Sequence, residues 1–277
     1  MAPSTTNGSV TPSRRARLRA DTINEIKTLA RRQLAEQGPG AVSLRAIARE
    51  MGTASSALFR YFPSHNDLIS AIVVDAYNDV ADALTSARDA WPSGDHAGTW
   101  FAICQAYRSW SLDNPSEFAL LFGTPLPGYE APLEVTGPAA SRSIEVALGV
   151  YAAAVQAGSA DPGRSQVPAD LEIGALWKSL LQERGSLYEP RLAGIVLSAW
   201  AAVLGYLTAE IFGSLTSLID DIDRLYVSHL HTAMLGMGFA ADLVEATCVG
   251  CRSNPPDDIR EASDQLPADA PGQDPGS

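Results

Sequence analysis

VSLRAIAREMGTASSALFRYFPSHNDL, residues Val42 to Leu68, decides the fold. Leu44, Ile47, Ala48 and Met51 recur at helical spacing and give a short helix one apolar face. Gly52 follows, where a helix must stop and a left-handed backbone is easiest to adopt. A second short helix comes next, with Leu58, Phe59 and Phe62 available for packing and Ser55, Ser56, Arg60 and Tyr61 left polar. Two short helices around a tight turn form a unit whose second helix can lie in a DNA major groove.

The flanks complete that unit. On the amino side, Ile23, Ile26, Ala30 and Leu34 form the stripe of a helix running from about Arg14 to Gln37, stopped by Gly38-Pro39-Gly40. On the carboxyl side, Ser64 and Asp67 stand at capping-box spacing. They open a long helix whose stripe of Leu68, Ile72, Ala76, Val80, Ala83 and Ala87 runs towards Trp91-Pro92. That helix belongs to the head at one end and to the rest of the chain at the other.

The run AxxMGTASSALFRYFPSHNDL resembles the DNA-binding domain of TetR-type transcriptional regulators. The matching positions are Phe59, Tyr61, Phe62, Ser64, His65 and Leu68. Phe59 stands where the family commonly has tyrosine, so a phosphate-bonding hydroxyl is absent. His65 stands where lysine is common, which weakens a phosphate contact near neutral pH. The resemblance implies that Arg45 and His65 contact phosphates. From the residues themselves, Ser55, Ser56, Ala57 and Arg60 fall on or near the exposed side of the second short helix. Arg60 can pair with guanine edges or phosphate, and the serine hydroxyls can serve either. Ser43 can cap its helix, bond a phosphate, or do both. Tyr61 combines a packing ring with a hydroxyl that can reach the DNA backbone.

The remainder is helical in spacing, with few β signals. Trp100, Phe101, Ile103, Cys104, Tyr107 and Trp110 mark a helix over about 96–114, and Pro115 opens a short one ended by Gly123. The segment GTPLPGYEAPLEVTGP reads as a long loop, followed by a helix from about Ala139 to Ala157. Leu171, Ala175, Leu176, Trp177, Leu180 and Leu181 mark a further helix, and two last ones span roughly Glu189–Phe212 and Leu218–Met237. AYRSWSLDNPSEFALLFG at 106–123 and SAWAAVLGYLTAEIFG at 198–213 are similar to a TetR-type body with a tryptophan–histidine–glycine-like C-terminal domain. Trp200 and Gly205 match, but Leu204 replaces the expected histidine. The resemblance implies a small-molecule effector and a homodimer. Trp100, Tyr107, Trp110, Phe118, Phe122, Tyr151 and Trp177 could line an apolar cavity between helices, or form plain core. Arg108 and Glu117 either orient a polar ligand or form an exposed pair.

Charge divides the chain. Residues 1–70 hold ten Lys+Arg and five Asp+Glu, whereas residues 71–277 hold ten and 27, for a net charge of −12. Phosphate neutralisation needs local positive charge, which the first segment supplies. Arg14, Arg15, Arg17 and Arg19 are either a solvated helix end or an arm near phosphates or in a minor groove. Residues 1–13 are polar and lack a secretory apolar core; residues 252–277 are acidic and Pro-rich, and both ends are expected to be disordered.

Leu192 to Ala209 carries no charge and is long enough to cross a bilayer, yet its many Ala, Gly and Ser residues favour a buried or dimer-forming helix. Cys248 and Cys251 have zinc-site spacing, but a closed site needs four ligands; Cys104 is the one cysteine left, while His229 and His231 lie one helix end away. Three cysteines without a secretory signal fit a reducing cytoplasm. No nucleophile motif or Gly-rich phosphate loop occurs, so no enzyme, cofactor or metal is expected.

The expected fold is all-α: a three-helix DNA-binding head with a helix–turn–helix at 14–70, joined to a helical-bundle ligand-binding and dimerisation body at 71–251. The expected function is that of a cytoplasmic homodimeric repressor, released from a palindromic operator on double-stranded DNA by a small molecule. Activation and ligand-assisted repression stand as alternatives on the same fold. A helical enzyme and a non-specific DNA-binding scaffold are the rivals from other classes.

Overall fold

The computed structural model describes residues 13–168, 172, 174–175, 178 and 189–253. Of the terminal segments expected to be disordered, 1–13 and 252–277, all but Ser13, Arg252 and Ser253 lie outside the described residues, as does most of the helix expected over 171–181; Arg252 and Ser253 close the last helix. Helices dominate, as the spacing predicts. They are α1 (Arg14–Gln37), α2 (Leu44–Glu50), α3 (Ser55–Leu58), α4 (His65–Ala90), α5 (His96–Asp113), α6 (Pro115–Phe122), α7 (Leu133–Gln156), α8 (Pro190–Ile211), α9 (Ile222–Gly236) and α10 (Ala241–Ser253).

Two apolar clusters organise them. Ile26, Ala30 and Leu34 of α1 meet Leu44 and Ile47 of α2, Leu58 and Phe62 around α3, and Leu68, Ile69 and Ile72 of α4. The second cluster joins Val80 and Leu84 of α4 to Trp100 and Tyr107 of α5, Tyr151 of α7, Val203 of α8, and Tyr226 and Leu230 of α9. Each such aliphatic or aromatic side chain removed from water contributes about 1.5–3 kcal/mol. α4 supplies residues to both clusters, so it is the rigid element common to the two.

Ion pairs fix how α4 lies against its neighbours. Lys27 meets Asp75 and Arg31 meets Asp79, each at 2.7 Å, one helical turn apart. On the next turn Arg142 of α7 donates to Asn78 at 2.5 Å and Asp82 at 2.7 Å. Such partly exposed pairs are weak individually, but their repetition sets the register. The α4 start is held by the predicted capping box: the Ser64 hydroxyl accepts from the Asp67 N–H, and the Asp67 carboxylate accepts from the Ser64 N–H at 2.8 Å.

Three expectations need correction. α7 begins at Leu133, not near Ala139, and Pro138 lies inside it. A proline removes one helical bond, to the carbonyl four residues back. Here Pro138 and Glu134 are both on the exposed side of the helix, where solvent lowers that cost. α10 was not expected as a separate element. Its approach depends on Gly238, whose φ of 92° and 2.1 Å clearance to the Asp161 carbonyl oxygen exclude any Cβ. Finally, Arg108 pairs not with Glu117 but with Glu210 of α8, through two parallel bonds of 2.9 and 2.5 Å, and with Asp223 at 2.7 Å.

Helix α8, whose stretch 192–209 carries no charge, is long and apolar enough to cross a membrane by composition alone, yet 44% of its apolar window is buried within the fold. Ala193, Val196, Ala199, Val203 and Leu207 face the core, while Ser198, Ala201, Ala202 and Gly205 are exposed. It is a two-faced helix with small residues on the outer side.

Candidate nucleic-acid interface

α3 is one turn long and continues as tight turns to Phe62, whose N–H bonds the Leu58 carbonyl at 3.0 Å. Leu58 and Phe62, four residues apart, point inward and are buried. Phe59 lies about 100° round the helix from Leu58 and is 42% exposed, so the packing expected of it does not occur. Ser56 and Arg60 share this exposed surface; Ser55 and Ala57 are half-buried at its edge. Gly52 has φ 64°, the left-handed turn that lets α3 cross α2.

The Arg19 guanidinium lies 5.2 Å from the centre of the Tyr61 ring, an attraction of cation to π face. Arg14, Arg15, Leu18, Thr22, Arg60 and Tyr61 complete a cleft of about 660 Å³ around that pair. The basic start of α1 therefore adjoins the exposed end of α3. Ser43 caps α2, its hydroxyl accepting from the Ala46 N–H at 3.4 Å, while its own N–H donates to Gln33. That geometry leaves the hydroxyl hydrogen available. Arg45 is exposed at the start of α2, and His65 at the first turn of α4, where helix N–H groups favour anions. What this surface can do chemically is hold phosphates and present a short side-chain edge to bases.

A second site lies in the body. A cavity of about 230 Å³ opens between Tyr77 and Val80 of α4, Phe122 of α6, Ser141, Ser143 and Ile144 of α7, and Trp200 of α8. Of the aromatic residues expected there, only Phe122 lines it. Trp100, Tyr107, Trp110, Phe118 and Tyr151 are buried in the core, and Trp177 lies outside the described residues. Tyr107 stands directly behind the wall, stacked on Trp200 with ring centres 4.5 Å apart and planes 12° from parallel. Burial, with a smaller contribution from Tyr77, pushes the Tyr107 phenol well above its ordinary pKa. Cys104 is buried, its thiol pushed up to about 12, and it is inert as a ligand. The side chains of Cys248 and Cys251 lie outside the described residues.

Residues 26–72 match the family model described as bacterial regulatory proteins, tetR family, and residues 100–233 match the tetracyclin repressor-like, C-terminal domain. An HTH-type transcriptional regulator of Mycobacterium tuberculosis is 36% identical over 189 residues, covering 68% of this chain and 80% of that one, and a Mycobacterium bovis counterpart matches equally. The chain belongs to the TetR family. It is a helix–turn–helix transcriptional regulator. The crystal structure of regulatory protein SCO4313 superposes with a TM-score of 0.62 at 30% identity, covering 81% of this chain and 99% of that one. A protein of unknown function from Rhodococcus sp. RHA1 shares the fold, with a TM-score of 0.60 at 22% identity over 84% and 100% of the two chains.

Within this TetR-family chain, sequence reasoning missed most of the cavity wall. One signal was present. Gly137, Ala140, Ser141 and Ile144 follow helical i, i+3, i+4, i+7 spacing, and small residues on one helix face leave space beside a neighbour. Pro138 obscured it by placing the first half of that face in a supposed loop.

Proposed function

We propose that this regulator is a cytoplasmic homodimeric repressor, without enzymatic activity, that leaves a palindromic operator when a small molecule enters the body cavity. Residues 14–70 form the DNA-binding head and 71–251 the effector-binding and dimerisation body. Ser55, Ser56, Ala57, Phe59 and Arg60 meet the major groove, while Ser43, Arg45, Tyr61 and His65 hold phosphates on either side. The observation that carries this reading is the exposed Ser56–Phe59–Arg60 surface, anchored from behind by buried Leu58 and Phe62 and bordered by a basic cleft.

α4 supports the linkage. Its Tyr77 borders the cavity twelve residues, or about 18 Å of helix, from His65 in the head. A ligand that parts α4 from α7 tilts that lever and changes the spacing of two heads in a dimer. DNA and effector then weaken each other's binding by the same factor. Selection from random duplex DNA with the purified full-length protein tests the reading: a palindrome with half-sites about one helical turn apart is expected. Recovery of sequences without an enriched motif would overturn it in favour of a non-specific scaffold.

A further inference from the structure

The cavity beside α4 carries a chemical feature that its apolar walls do not explain. Ser143 lines it and is only 3% exposed, and its hydroxyl has no hydrogen-bond partner among the described residues. Folded interiors rarely leave such a group unpaired. Its neighbour Ser141 already donates to the Pro138 carbonyl at 3.1 Å, so Ser143 is the buried serine hydroxyl left to meet a guest. Among the described residues, no Asp, Glu, Lys, Arg or His lines the cavity. Arg142, between the two serines in sequence, is turned to Asn78 and Asp82. A charged guest would lose its hydration here without a counter-charge.

Size and wall chemistry narrow the guest further. A dry apolar cavity of about 150 Å³ holds benzene. The 230 Å³ here holds one such ring with room for small substituents. Tyr77 and Phe122 meet edge to face at 6.1 Å and 80°, and Trp200 is braced by Tyr107. Rigid aromatic walls favour a planar ring through offset and edge contacts.

We infer that the cavity binds an uncharged monocyclic aromatic molecule bearing one hydroxyl or carbonyl group, hydrogen-bonded to Ser143 Oγ. This assignment rests on the body being an effector domain, and it specifies the effector's chemistry. Isothermal titration of the full-length protein with three size-matched compounds tests it: 4-methylphenol, 1,4-dimethylbenzene and 4-methylbenzoate. The phenol binds best, the hydrocarbon about tenfold more weakly, and the carboxylate not detectably. Ser143→Ala lowers phenol affinity about tenfold, bringing it to that of the hydrocarbon, whose own binding stays within about twofold.

Ala140→Phe fills the space and abolishes binding of both neutral compounds; should that variant lose its cooperative melt, the Ser143→Ala comparison decides alone. Absence of phenol binding, preference for the carboxylate, or equal loss of phenol and hydrocarbon in Ser143→Ala overturns the assignment. DNA anisotropy on the selected sequence separates the two readings. Ser143-dependent phenol binding that leaves DNA affinity unchanged upholds the effector chemistry and sinks the linkage. Selective DNA binding with no phenol binding does the reverse.

Discussion

Single side chains here divide between those that hold and those that reach. Leu58 and Arg60 are two residues apart, yet one is 1% exposed and the other stands in solvent beside the basic cleft. Arg60→Ala therefore leaves the melting temperature within a few degrees and weakens operator binding by about 1–3 kcal/mol, measured by anisotropy against the wild type. Uniform weakening across sequences would place Arg60 on a phosphate; loss of preference at one base pair would place it on a base edge. The opposite balance holds at Glu210, whose side chain is 7% exposed and grips Arg108 with both oxygens. Removing one partner of such a pair strands the other, so Glu210→Ala costs about 3 kcal/mol. Asp223 keeps some hold on Arg108, and Glu210→Gln loses less. Thermal or denaturant unfolding checks the order, with no change in DNA selectivity expected at matched folded fraction.

At the scale of elements, the connection from α6 to α7 makes specific contacts with the head. Leu126 and Tyr129, in the connection from α6 to α7, pack on the head cluster. There the Tyr129 and Ser70 hydroxyls lie 3.1 Å apart, and Asn66 donates to the Gly128 carbonyl at 3.1 Å. This connection and the cavity both involve α6 and α7, so on the proposed linkage an effector that shifted those helices would pull on the first turns of α4. Tyr129→Phe should cost about 1 kcal/mol in stability. It should also shrink the ratio of DNA affinities measured without and with effector, while each ligand's separate affinity stays within about threefold. An unchanged ratio would move the coupling to α4 alone. The sequence showed α1, α4, α5 and α6 nearly to the residue and the presence of α2 and α3, because strong punctuation at Gly38, Gly52, Ser64 and Pro115 brackets clear apolar stripes. It hid the first turns of α7, where an exposed proline mimics a boundary. It hid most of the cavity as well, because Tyr77, Ser143 and Trp200 become neighbours only when three helices pack. Aromatic size drew attention to Trp100 and Tyr151, but large rings at helical spacing fill cores first.

For the whole molecule, the outer sides of α8 and α9 and the opposed charges of the two ends belong to one problem. A single short reading helix contacts few base pairs, and the acidic remainder of the chain repels DNA. Joining two heads makes the second contact intramolecular and raises overall affinity without any new chemistry. Ser198, Ala201, Ala202 and Gly205 on α8, with Ser228, Thr232 and Leu235 on α9, are exposed while the opposite faces fill the core. Small outward residues allow two helices to approach closely, and a two-fold axis beside them would pair α8 and α9 with their copies. Ala202→Arg places a long charged side chain in the middle of that surface without touching the core. Sedimentation equilibrium should then show a monomer with wild-type helicity. Binding to the full palindrome should fall at least about a hundredfold, towards that of an isolated half-site. A variant that stayed dimeric and kept its palindrome would show that the copies meet elsewhere, because an arginine at a tightly packed two-fold contact faces its own charge across the axis.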